Sequence, residues 1–214
     1  SEFCALGRVW FCRHANDAML ECALRALTVL CARPPIAPQL HSAQEMLDFA
    51  VAALECPAQH VLVSALGLIE RVLDLLSSAA ATSLVFAAVE LLVPALRGTV
   101  LLHREGVVRQ RAVALLFRLV TVESAQRADA LSMVVDRLLR DESPLVSATA
   151  LCGLPRLLHD VPVDQWAIPW TLLQAHLRKV LSEASDSQLR SSVLVLVQWL
   201  VLNVGFQLEY LQDL

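Results

Sequence analysis

Three arginines and a tryptophan recur at matched places along this chain: Arg71, Arg118, Arg156 and Trp199, at steps of 47, 38 and 43 residues. A guanidinium is a planar fork of donors that fits carboxylates and phosphates. Arg and Trp are also the types most enriched at interface hot spots, because each combines large contact area with directional donors. Stacked in register, these side chains would form a ladder for an acidic or phosphorylated peptide, with Trp199 as its apolar anchor. Arg111 lies on the same helical face as Arg118, seven residues before it. A plainer reading stands beside this one. Arginine on a polar helix face commonly pairs with a nearby carboxylate or is simply solvated, and Trp199 equally suits covering a seam between helices.

Other chemistry is weakly represented. Histidines stand at 14, 41, 60, 103, 159 and 176, with neither an HExxH motif nor clustered Cys/His spacing, so no metal site is expected. There is no GxSxG elbow, P-loop or GxGxxG fingerprint, hence no nucleophile or cofactor cradle to name. Glu21, Glu45, Asp48 and Glu70 are far enough apart that only folding would pair them; solvated helix faces account for them equally well. These observations point away from an enzyme and away from any cofactor.

The elements that must position the arginines form a repeat. A helix-opening pattern starts at Met19, Val61, Val108, Val146 and Leu189: an apolar anchor, a small or apolar residue four positions on, then a Leu-rich run. A period near forty residues is the signature of paired-helix solenoids. With each anchor as position 0, positions +4, +7, +8 and +11 are apolar or small in every copy, and at 100° per residue they share one core-facing sector. Two examples are Val61, Ala65, Leu68, Ile69, Val72 and Val108, Ala112, Leu115, Leu116, Leu119. Positions +3, +6 and +10 fall on the other side. At +10 the copies read Val29, Arg71, Arg118, Arg156 and Trp199; at +3 they read Cys22, Ser64, Arg111, Thr149 and Ser192.

Helix signals pair accordingly: Ser42–Glu55 with Ala58–Ser77, Ser83–Arg97 with Glu105–Val122, Ala125–Arg140 with Pro144–His159, and Pro169–Ala184 with Ser187–Val204. Before them, Asn16–Ala32 is a lone second helix, and Phe3–Phe11 is a candidate stub of its partner. The repeat units run over about 3–32, 42–77, 83–122, 125–159 and 169–204. Asn16, Ser42, Ser124 and Asp186 suit N-caps. Pro34, Pro35 and Pro38 break the chain after the first unit, and Asp160–Pro169 is the other long connector. There Trp166 and Trp170, flanking Pro169, are expected to plug the connector onto the helices. Pro94 and Pro155 fall within apparent helices, where a kink is expected. No period-two alternation suggests a strand, so the chain reads as all-α.

The run Leu131-Ser-Met-Val-Val-Asp-Arg-Leu-Leu-Arg-Asp-Glu-Ser-Pro-Leu-Val146, followed by Ala148, Ala150, Leu151 and Leu154, resembles a HEAT repeat. Val108-Arg109-Gln-Arg-Ala112 and Leu189-Arg190 match the opening of that repeat's second helix. Ser147 departs from it, standing where the family pattern has Arg. Armadillo repeats are of similar length, so the resemblance is HEAT/armadillo-like and covers most of 16–204. It implies a right-handed α-solenoid of about five paired-helix repeats over 1–214, with second helices lining a concave binding surface.

Composition bounds the function. Hydrophobic residues make up 57% and aromatics 5%, an excess of Leu, Val and Ala that suits helix-on-helix packing. Mean hydropathy is +0.58. Even so, the longest apolar stretches are interrupted by Glu90 and Arg97 or hold Gln198 and fall short of a bilayer span, so no membrane is expected. A formal charge of −4 lacks the basic footprint of a nucleic-acid binder, although Arg97–Arg118 holds five arginines. Six cysteines without a CxxC pair suit buried, reduced thiols and an intracellular setting, nuclear or cytoplasmic. Ser1-Glu2-Phe3 resembles a cloning remnant, and a fragment of a longer protein is expected. The expected function is a non-catalytic scaffold that binds a protein or acidic peptide through its second helices. The alternatives are a segment buried inside a large assembly, self-association through terminal repeats, and a nucleic-acid-binding solenoid centred on Arg97–Arg118.

Overall fold

A computed structural model describes residues 16–32, 40–78, 82–98, 100–120, 133–134, 137–159, 170–183 and 185–204. These form eight helices: α1 (Asp17–Cys31), α2 (Leu40–Ala53), α3 (Gln59–Ser78), α4 (Thr82–Gly98), α5 (Gly106–Val120), α6 (Pro144–Leu158), α7 (Trp170–Glu183) and α8 (Ser187–Val204). Short 3-10 turns at Val100–Leu102 and Leu138–Arg140 precede α5 and α6. No strand occurs among the described residues, and the fold is all-α. No described helix is long and apolar enough to cross a membrane.

The local signals are used much as the sequence dictates. Asn16 caps α1, its Oδ1 accepting from Met19 N at 2.8 Å, and Asp186 does the same for Leu189 N at 2.8 Å. Pro144 opens α6, where a missing N–H costs nothing. Both α4 and α6 continue through their internal prolines, Pro94 and Pro155. Ser42 is not a cap. The backbone is already helical at Leu40, because nothing in Leu40-His41 stops the turn from extending back past the serine. Near Arg140 the expected α-helix is replaced by a 3-10 turn that ends in extended backbone at Asp141. Ser124, the Phe3–Phe11 segment, Trp166 and most of Ala125–Arg140 lie outside the described residues.

The chain divides into two compact units, 1–115 and 116–214. In the first, α3 packs against both α1 and α2, and α4 leans on α2 and α3. In the second, α6 packs against α8 and the turn before it, and α7 packs against α8. The repeat's core phase is where the sequence places it. Val61, Ala65, Leu68, Ile69 and Val72 are wholly buried, as are Val146, Ala150 and Leu154 of α6 and Val193, Leu196 and Leu200 of α8. Burying a side chain of this size contributes about 1.5–3 kcal/mol.

In α1 the phase is shifted by one. Leu20, Leu24 and Cys31 are buried, whereas Met19 is 55% and Leu30 45% exposed. The same template therefore starts at Leu20, not Met19. A Leu20/Leu24 stripe removes more apolar surface against α3 than a Met19/Ala23/Ala26 stripe would, and burial selects the register.

At two entries into second helices, those of α5 and α6, a side chain supplies donors to carbonyls of the turn behind the helix. Arg109, directly after the Val108 anchor, is buried and donates through Nη1 to the carbonyls of His103 and Arg104, both at 2.7 Å. Ser147, directly after Val146, is also buried. Its Oγ lies 3.1 Å and 3.3 Å from the Leu138 and Leu139 carbonyls, and 3.5 Å from that of Asp141. The serine that departs from the HEAT pattern thus serves the same backbone need as the arginine, over a shorter reach.

Close approach of helices shows at Gly153 in α6. A Cβ built there would lie 2.3 Å from a ring carbon of Phe117, which is itself buried. Helix propensity alone would make Gly153→Ala stabilising by about 1 kcal/mol, but the overlap must be relieved by moving packed atoms, at about 1–3 kcal/mol. We expect the denaturation midpoint of Gly153→Ala to fall, and that of Gly67→Ala, whose Cβ would meet Arg111 Nη1 at an ordinary 3.5 Å, to hold or rise. Equal behaviour of the two variants would refute the packing account. Ser147→Ala should lower stability by about 1 kcal/mol in the same assay, the cost of a donor lost to buried carbonyls.

Candidate functional site

The five residues singled out by spacing divide between the units. In the first unit, Arg71 on α3 is 56% exposed and faces Asp74, one turn on, at 3.7 Å. An exposed pair of this kind contributes little to stability. Arg111 on α5 is only half-exposed, and its Nη1 donates to the Val63 carbonyl of α3 at 3.2 Å. It ties two helices together. In the second unit, Arg118 and Trp199 are half-buried and Arg156 is exposed. The +3 position of α8, Ser192, is buried and turns its hydroxyl onto the Gln188 carbonyl at 2.9 Å, so that phase is not displayed there.

The basic run Arg97–Arg118 is likewise not a displayed stripe. Arg109 and Arg111 hold backbone carbonyls, and exposed Arg104 faces the adjacent Glu105 at 3.5 Å. Two of the five guanidiniums that suggested a nucleic-acid surface are spent inside the fold.

Sequence reasoning missed the apolar outer face of α8. Leu194, Val195, Val201 and Leu202 are 58%, 52%, 37% and 72% exposed. At 100° per residue they span about 120° of the helix, directly opposite the buried Val193/Leu196/Leu200 stripe. Continuous hydrophobicity around α8 was the available signal, since a helix apolar on all sides demands cover on all sides. Trp199 sits at the edge of this face, and Arg156 is on α6, the helix packed against α8. A smaller exposed set, Met19, Val29 and Leu30, marks α1.

A second feature missed from sequence is a cleft of about 440 Å³ in the second unit. Its apolar wall is Leu139, Val180 and Leu189, and its charged rim includes Arg140, Lys179 and Glu183. No spacing rule brings these together, because they come from the turn before α6, from α7 and from the start of α8. His176 of α7 also lines the cleft. Its Nε2 is buried without a hydrogen-bond partner. Burial, then the charges of Arg140 and Lys179, hold its imidazole below the usual value of 6.5.

Cys22, Cys31, Cys56 and Cys152 are free thiols. Burial pushes the Cys31 thiol up, and its Sγ lies 3.3 Å from Met46 Sδ. Burial also raises Cys56, helped by the nearby Asp17 charge. Neither is arranged as a nucleophile, because a reactive thiol needs its pKa lowered.

No protein-family model matches this sequence, and neither the curated proteins nor the solved structures searched contain a match.

The lowered His176 pKa has a signed consequence. Between that lowered value and 6.5 the unfolded chain binds the proton more readily, so stability falls as pH drops through this window. Above 6.5 both states carry a neutral ring and the effect vanishes. We expect thermal stability to drop more between about pH 7.5 and about pH 5 in the wild-type chain than in His176→Gln, other acid-sensitive groups being common to both. Parallel pH profiles would show that His176 is not the linked group.

Proposed function

We propose that this chain is a non-catalytic, HEAT/armadillo-like helical scaffold that recognises a partner protein. The observation that carries the reading is the α8 outer face, where four large apolar side chains lie exposed opposite the core. Apolar patches of this kind mark interaction surfaces, because leaving them in water is costly. The repeat arrangement is supported by recurrence of one core phase in α3, α5, α6 and α8, and in α1 once its anchor is taken as Leu20. It is further supported by direct packing of second helix on second helix, α1 on α3 and α6 on α8.

On this reading the partner lays an apolar segment along Leu194, Val195, Val201 and Leu202, with Trp199 at the margin. Arg118 and Arg156 orient it through acidic or phosphorylated groups. Arg71 belongs to the first unit and is no part of this surface, and Arg111, held on Val63, chiefly secures α5 to α3.

Two variants test this: Leu194→Glu/Leu202→Glu on the apolar face, and Arg118→Glu/Arg156→Glu on the basic positions. Circular dichroism should show both to be as helical as the wild type. In quantitative affinity purification we expect the first to lose the specific partners almost wholly and the second to lose them several-fold. Retention of the same partners by both folded variants would rule the reading out.

A further inference from the structure

The first and last described helices, α1 and α8, both expose apolar faces that carry no charge. We infer that the two are a head-to-tail docking pair: the α8 outer face of one copy receives the α1 outer face of a second copy of this chain. This rests on the repeat packing proposed above and deepens that reading, because it names the apolar segment that α8 takes up.

The absence of charge selects these two faces. On α1, Met19, Cys22, Ala26, Val29 and Leu30 are exposed. At 100° per residue they fall within about 100° of the helix, beside the buried Leu20/Leu24/Cys31 stripe. Arg25 lies outside that sector and engages Glu21, one turn back, at 2.7 Å. On α8, the exposed positions between Leu194, Val195, Val201 and Leu202 are filled by Ser191 and Gln198, polar but uncharged. The one charged residue of α8, Arg190, falls outside the sector, at the helix start. The other large exposed apolar residues differ. Glu90 stands within the Phe86/Leu91 face of α4, and Leu102 and Val107 flank Arg104 and Glu105 in the chain. Covering those would bury charges that have to be paired, whereas α1 can close on α8 without that cost.

The packing inside the chain points to a second copy as the occupant. Second helices here pack on second helices, α1 on α3 and α6 on α8. Terminal units of a repeat array need a polar outer side, since no neighbour covers them. Neither α1 nor α8 has one. A second copy brings to α8 the second helix of another repeat, in the way α6 already meets it. The two faces differ, so the contact is heterologous, and each copy keeps one face of each kind for a further neighbour.

The test is sedimentation equilibrium of the 214-residue protein over a concentration series. It compares the wild type with Met19→Glu/Val29→Glu and with Leu194→Glu/Leu202→Glu, and circular dichroism checks folding. We expect the average mass of the wild type to rise above that of one chain as concentration increases. Each variant alone should associate at least about tenfold more weakly, because a glutamate in the contact has no partner. Mixed in equal amounts, the two variants should form a dimer through the one intact face that each brings, and go no further. If Met19→Glu/Val29→Glu loses helicity, Met19→Gln/Val29→Gln takes its place in the same mixture. The inference is overturned if the wild type is a monomer at every concentration, if the α1 variant associates as strongly as the wild type, or if the mixture stays monomeric. A monomeric wild type that still captures other proteins through α8 leaves the scaffold reading standing. Failed capture beside intact head-to-tail association overturns the capture of other proteins alone.

Discussion

The interaction on which the entries to α5 and α6 rest is a side-chain donor given to the carbonyls of the turn behind each helix. At α5 the donor is Arg109; at α6 it is Ser147. Both occupy the position after the first buried anchor, where the helix has just turned inward and a side chain can reach back. Without such a donor, buried peptide oxygens would cost about 1–3 kcal/mol each, and the connector would open toward water. The residue one position earlier, Val108 or Val146, is fully buried. Polar satisfaction and apolar packing are thus adjacent parts of one turn. Arg109 and Ser147 are two lengths of the same connection.

Much of the fold was legible because its determinants are local and periodic. The core positions of α3, α5, α6 and α8 followed from one spacing rule, and Asn16 and Asp186 were caps as their chemistry suggests. Failures came where two local solutions competed. Met19 and Leu20 both begin an acceptable stripe, and only packing against α3 selects Leu20. Ser42 is a good cap in a place where the helix needs none. The arginines show a deeper limit. Spacing placed Arg71, Arg111, Arg118 and Arg156 on helices, but not which guanidiniums are displayed. Arg111 is turned inward by a carbonyl of another helix, a fact no single-helix pattern contains. The cleft residues lie on three elements with no shared period, so sequence offered no handle on them at all.

Charge acts in this molecule by position more than by amount. The formal balance is −4, yet individual cations have distinct tasks. Arg109 and Arg111 are structural donors, Arg156 is displayed, and Arg140 and Lys179 border a cleft where, after burial, they lower the basicity of His176. A summed charge would miss these divisions. It is the buried or half-buried arginines, whose forks reach backbone oxygens, that make the helical surface less basic than its composition.

The contact between Phe117 and Gly153 carries a consequence for motion. The ring is set against bare helix backbone, with no room for a methyl group between its edge and Gly153. A half-turn of the ring about its own axis sweeps through space that Gly153 and its neighbours occupy, so it requires the two segments to part for an instant. The ring is therefore a clock for the breathing of the second unit. Its flipping rate, visible as the merging of paired aromatic resonances, counts how often this packed seam opens while the rest of the chain stays folded.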